Sequence, residues 1–137
     1  MKILITGANG QLGSEIKDLA CNYKNYDCIF MDLPELDICD EKILNSIIIN
    51  QNINVVINCA AYTAVDEAEQ NFELSEKENS IGVSNIVNVL KEVGGKLIHI
   101  STDYVFDGNN FLPYEETDLA NPLSIYAKTK RAGELAV

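Results

Sequence analysis

In "SIYAKTKRAGE", Tyr126 stands four residues before Lys130 on what reads as a helix. A free tyrosine has a pKa of about 10, too high for easy proton transfer near neutrality, and a neighbouring ammonium favours its phenolate. One helical turn puts both side chains on one face, so the pair can pass a proton to a reacting oxygen. Such pairs are common on solvated helices, and this one gains weight from its company. "STDYVFDG" sets Ser101 and Thr102 directly after an apolar run, where one or the other can present a hydroxyl at the same carboxyl edge as the glycine loop. Near the start, "TGANGQLG" carries Gly7, Gly10 and Gly13 between a clear strand and a clear helix. The first glycine permits a tight turn, the second lets backbone N–H groups approach a pyrophosphate, and the third lets the helix pack closely on the sheet.

These three segments need a scaffold that brings them to one edge. "KILITG" (residues 2–7) is a short β-branched run, and "QLGSEIKDLACNY" repeats Leu12, Ile16, Leu19 and Ala20 at helical spacing. "DCIFMD" reads as a second strand ending at Asp32, "ELDI" as a short third, and Asp40 as the cap of a helix through "EKILNSIIINQ". "NVVINCAA" (54–61) has the continuous apolar character of a strand covered on both faces. A long helical stretch is expected from about Val65 to Val93, interrupted near Ser80 to Gly82 and stopped by Gly94-Gly95. "KLIHIS" is the next strand, residues 102–121 form a long functional loop, and a last helix begins after Pro122. Strands alternating with helices imply an α/β doubly wound parallel sheet, Rossmann-like, of about five strands in the order 3-2-1-4-5. Its switch point lies between strands one and four, where such sheets bind ligands beyond the carboxyl ends of their strands. The strand from Lys96 to Ser101 is expected to be an open edge, which invites pairing with a second copy as a homodimer.

At the switch point the dinucleotide reading gains a second support. Asp32 ends strand two at the distance suited to an adenosine ribose, and no arginine stands nearby to hold a 2′-phosphate, which favours NAD over NADP. Asp37 and Ile38 would border the adenine, and Ala60 and Ala61 leave room for the cofactor to cross the sheet.

Composition excludes several other classes. The 137 residues carry a formal net charge of −11 with Arg131 as the single arginine, which disfavours nucleic acid as a partner. Cys21, Cys28, Cys39 and Cys59 form no CxxC pair and His99 is the sole histidine, so neither a metal site nor a disulfide framework is expected. Free thiols, no signal-peptide pattern and no membrane-spanning run point to the cytoplasm and away from a membrane. The acidic stretch "VDEAEQNFELSEKE" reads as a solvated helix face.

"MKILITGANGQLGSEI", "VVINCAAYTAVDEAE", "LIHISTDYVFDG" and "PYEETDLANPLSIYAKTKRAGE" together resemble the dTDP-4-dehydrorhamnose reductase family of extended short-chain dehydrogenases/reductases. The resemblance covers essentially the whole chain, and "STDYVFDG" discriminates it from the epimerases and dehydratases of the wider superfamily. It implies reduction of the 4-keto group of dTDP-4-dehydro-L-rhamnose by NADH or NADPH in nucleotide-sugar and polysaccharide biosynthesis. It further implies that Gly10, Gln11 and Leu12 line the pyrophosphate, that Asp32 meets the ribose, and that Asp37 and Ile38 lie near the adenine. Ala60, Ala61 and Tyr62 would bracket the cofactor. Thr102 would steady the reacting oxygen, Tyr126 would donate the proton, Lys130 would hold the nicotinamide ribose, and Asp103 would touch the substrate. Cys59 stands where alanine is more usual, and Ala127 where glycine is more usual. Family members run to roughly twice this length, so the resemblance implies a dinucleotide-binding domain over residues 1–137 and a carboxyl-terminal substrate domain absent from it. Two other readings stay open: a non-catalytic regulatory module that binds a dinucleotide and a partner protein, and an NAD-dependent nucleotide-sugar epimerase or dehydratase.

Overall fold

The computed structural model describes residues 1–137 in full. Four strands, β1 (Lys2–Thr6), β2 (Asp27–Met31), β3 (Val55–Asn58) and β4 (Lys96–His99), form one parallel sheet in the order β2-β1-β3-β4. The switch point therefore falls between β1 and β3, where the sequence reading puts it. β1 pairs with β3 from Ile3↔Val55 to Thr6↔Asn58, and β3 with β4 from Val55↔Lys96 to Asn58↔His99. β4 pairs on one side only and is an open edge, with Ile98 exposed.

The expected third strand does not form. Residues 35–38 follow a turn in which the Leu36 N–H donates to the Asp32 carbonyl, and the Asp37 side chain accepts the Cys39 N–H at 2.8 Å. With their backbone groups turned to such local bonds, these residues extend no ladder. The alternation that suggested a strand is still used, since Leu36 and Ile38 are both buried in the core. Without that segment the observed order is the predicted one, with four strands in place of five.

Six α-helices cover the sheet: α1 (Gln11–Ala20), α2 (Glu41–Asn50), α3 (Val65–Ala68), α4 (Phe72–Glu76), α5 (Gly82–Val93) and α6 (Ile125–Ala136). On one face Leu4 and Val56 pack with Leu44 and Ile48 of α2 and Ile86 and Val89 of α5. On the other, Ile3, Ile5 and Val55 meet Ile16 of α1. Each such fully buried aliphatic side chain contributes about 1.5–3 kcal/mol. Asp40 caps α2 as expected, accepting the N–H groups of Lys42 and Ile43 at 3.0 and 3.1 Å. α5 stops where Gly94 adopts a left-handed φ of 67°.

The single long helix expected over 65–93 is three helices and a π turn. Asn71, at φ −124°, ends the first helical piece, and Lys77–Ile81 forms the π turn between α4 and α5. Both departures have partners elsewhere in the fold. The carboxylate of Glu69 accepts the Ile125 N–H at 2.8 Å, which anchors the start of α6. The π turn aims Asn79 inward, where its side chain bonds both the N–H and the carbonyl of Tyr62. Asp66, Glu67, Glu69, Glu73 and Glu76 of the acidic stretch are exposed as read, whereas Glu78 is half-buried, with its carboxyl pushed up by burial, and Ala68 and Ser75 are buried.

Candidate functional site

The glycine loop is built by close approach. Gly7 has φ 61°, and a Cβ on it would lie 2.5 Å from the Ala60 nitrogen, so only glycine fits between β1 and the end of β3. A Cβ on Gly13 would lie 2.3 Å from the Gly7 carbonyl oxygen, which makes Gly13 the packing glycine and buries it beneath the loop. Gly10 caps α1 with extended backbone, and no side chain bonds the first-turn N–H groups. Those free donors, with the positive end of the helix dipole, form a cradle for an anion. Asp32 braces the loop from the next strand: its carboxylate accepts the Asn9 N–H at 2.7 Å and the Leu33 N–H at 2.8 Å.

A cleft of about 570 Å³ opens over this loop. It brings together Gly7, Gly10, Gln11, Leu12, Asp32, Asp37, Ile38, Ala60 and Ala61 with Tyr126 and Lys130 from α6. Its size suits an extended organic ligand. Gly13 and Tyr62 are not among the residues that line it. Thr102 and Asp103 line an adjoining cleft of about 520 Å³ together with Glu116, Asp118, Arg131 and Glu134, and Ser101 borders both.

α6 carries the candidate chemistry, and it is held firmly. Ser124 caps it by accepting the Ala127 N–H at 3.1 Å. Ser75 and Thr129 share a hydrogen bond of 2.9 Å, and Asn79 donates to Thr129 at 3.2 Å, so α6 is bonded to the α4–π turn segment. Gly133 lets the helix sit closely against the Asn79 carbonyl. Tyr126 is buried but reaches the cleft, with Tyr104 edge-on at 6.0 Å between ring centres. Lys130 is 3% exposed and its Nζ donates to the Ile100 carbonyl at 2.6 Å. Burial lowers its pKa, and the nearby Glu134 carboxylate opposes that shift.

Below α6, the carboxyl ends of three strands are tied by side chains. The Thr6 hydroxyl donates to Asn58 Oδ1 at 2.5 Å, and Asn58 Nδ2 lies 3.3 Å from His99 Nδ1. All three share one register row and continue the apolar row Leu4–Val56–Leu97 toward the site. His99 is pushed down to about 4, by burial first and then by the Lys130 charge, so it is neutral at pH 7. The sequence reading missed Asn58, Asn79, Ser75 and Thr129, which position the site, and Lys77, Glu78, Thr63 and Ile100, which line the cleft. Asn58 alone had a readable signal, a polar residue inside an apolar strand.

The family model described as the RmlD substrate binding domain matches residues 1–137. The chain belongs to this family. Among its relatives, the dTDP-4-dehydrorhamnose reductase of Aggregatibacter actinomycetemcomitans is 41% identical over 133 residues, covering 97% of this chain and 45% of the relative. The solved dTDP-4-dehydrorhamnose reductase from Clostridium acetobutylicum superposes with a TM-score of 0.95 at 48% identity, over 99% of this chain and 48% of that one. The Bacillus anthracis enzyme in complex with NADP gives a TM-score of 0.94 at 38% identity, over 98% of this chain and 48% of that one. The chain thus spans about half the length of the family relatives it matches, and the half it spans includes the glycine loop, the cleft and α6.

Proposed function

We propose that residues 1–137 are the dinucleotide-binding domain of an NAD(P)H-dependent reductase that converts the 4-keto group of dTDP-4-dehydro-L-rhamnose to the alcohol of dTDP-L-rhamnose. The observation that carries this reading is the convergence of the glycine cradle, Asp32 and the Tyr126–Lys130 helix on one cleft at the switch point. The identity to reductases on both sequence and fold supports the choice of substrate.

The nicotinamide cofactor supplies the hydride in this chemistry. The chain's own residues bind and orient it: first-turn N–H groups at Gln11, Leu12 and Gly13 meet the pyrophosphate, and Asp32 accepts from the ribose hydroxyls. Asp37 and Ile38 border the adenine, while Ala60, Ala61 and Tyr62 bracket the path across the sheet. Tyr126 donates the proton to the substrate oxygen as that oxygen gains negative charge. Lys130 holds the nicotinamide ribose and supplies the positive charge that eases this transfer. Thr102 steadies the same oxygen by a hydrogen bond, and Asp103 contacts the sugar nucleotide. A substrate-gripping domain completes the site, because catalytic groups without positioning forfeit several kcal/mol of barrier reduction. The open β4 edge, with Ile98 and Ile100 exposed, supports a homodimer. The four free cysteines fit a reducing, cytoplasmic setting, and no helix is long and apolar enough to cross a membrane.

A chimera joining this chain to the carboxyl-terminal half of the Clostridium acetobutylicum reductase tests the assignment. It is expected to oxidise NADH only when dTDP-4-dehydro-L-rhamnose is present, and Tyr126→Phe is expected to abolish this. A folded chimera that binds NADH and ignores the sugar nucleotide would overturn the substrate assignment.

A further inference from the structure

α6 presents Tyr126, Lys130 and Glu134 at successive i, i+4 positions, and only the first two have a part in the reaction proposed above. Glu134 is occupied at both oxygens. Its Oε1 accepts the Ser101 hydroxyl, and its Oε2 receives Arg131 Nη1 at 2.6 Å. One turn earlier, Lys130 Nζ donates to the Ile100 carbonyl. Two consecutive residues beyond β4 are therefore gripped by two consecutive turns of α6.

The next residue in the chain is Thr102, whose side chain makes only local contacts. Its hydroxyl accepts the Tyr104 N–H at 3.3 Å and donates to Asp103 at 3.3 Å. Besides the edge-on contact of Tyr104 with Tyr126, the hydrogen bonds that tie this part of the chain to α6 are those of Ile100 and Ser101. We infer that Glu134 is a positioning residue that clamps the Ser101–Asp103 segment to the Tyr126–Lys130 face of α6.

The surroundings support a dedicated role. Asp103, Glu116 and Asp118 crowd the same cleft, and Arg131 is its one cation. A fourth carboxylate is costly among like charges unless its bonds repay it. His99 from β4 and Lys130 from α6 also feel the Glu134 charge, which favours the protonated form of each. The carboxylate thereby offsets part of the burial that drives Lys130 toward neutrality.

This inference rests on the catalytic reading of α6, so its test has one arm that needs no cofactor. Hydrogen exchange of the backbone amides of Tyr104, Val105 and Phe106 reports on the segment's order in the 137-residue chain. Glu134→Ala and Ser101→Ala are each expected to speed exchange there about tenfold, while β1 amides keep their protection. Glu134→Gln, which still accepts the Ser101 hydroxyl, is expected to restore protection to within about threefold of the parent. Arg131→Met is expected to leave these amides unchanged. Local exchange unaffected by both alanine variants would overturn the clamp, as would Glu134→Gln behaving like alanine. Accelerated exchange in a chain that binds no NADH would support the clamp and remove the dinucleotide reading. Intact NADH binding with unchanged exchange would remove the clamp alone.

Discussion

The Asp32 carboxylate accepts the backbone N–H of Asn9 at 2.7 Å, so the end of β2 holds the glycine loop that follows β1. This side chain shapes the anion cradle, and in the proposed dinucleotide site its remaining lone pairs would accept from a ribose. Asp32→Ala removes a charge-assisted bond of about 1.5–3 kcal/mol. NADH affinity is expected to fall roughly ten- to hundredfold on that scale. NADPH affinity is expected to fall less, because the substitution also removes a negative charge that would face the 2′-phosphate in the proposed site. Parallel titrations of the two cofactors measure both effects.

Gly13 and Gly94 separate contact from conformation. Gly13→Ala forces a methyl within 2.3 Å of the Gly7 carbonyl and is expected to destabilise the chain by about 3 kcal/mol. Gly94→Ala meets no neighbouring atom, and at φ 67° it is expected to cost only about 1 kcal/mol. Urea unfolding of both variants checks the ranking.

The parts legible in the sequence were those with local causes. A β-branched run ending at Gly7, an Asp40 cap and the Gly94 stop each follow from backbone chemistry within a few residues, and each stands where it was read. Positions 35–38 were misread because burial of Leu36 and Ile38 produces a strand's alternation without a strand's hydrogen bonds. The stretch 65–93 was misread because its breaks answer distant partners: Glu69 serves Ile125, and Asn79 serves Tyr62 and Thr129. Within the site, the cradle and the α6 pair were readable from spacing. The Thr6–Asn58–His99 row was not, since it exists only once three strands share a register.

His99 gives the fold a pH dependence. Unfolded, it takes up a proton near pH 6.5, whereas folded it does so only near pH 4. Between these values the unfolded state binds more protons, so stability falls as pH is lowered through that window. His99→Gln is expected to flatten the decline between pH 6.5 and 4, measured as urea midpoints at several pH values. A decline of equal slope in the variant would assign it to other groups.

The four cysteines are expected to differ in reactivity. Cys21 is exposed, whereas the Cys39 thiol is pushed up to about 12 by burial and by the neighbouring Asp37, and burial also raises Cys59. At pH 8 the thiolate fraction of Cys39 is lower than that of a free cysteine by about a thousandfold. Timed alkylation with mass-spectrometric mapping is expected to label Cys21 first and Cys39 last. NADH is expected to slow labelling of Cys59, which lines the cleft.

Titration of the chain with NADH, followed by fluorescence, tests the central claim most directly. Saturable binding that Asp32→Ala weakens at least tenfold is the predicted result. A chain folded by circular dichroism that binds no NADH, or binds it equally well without the Asp32 carboxylate, would contradict the claim that the switch-point cleft is a dinucleotide site.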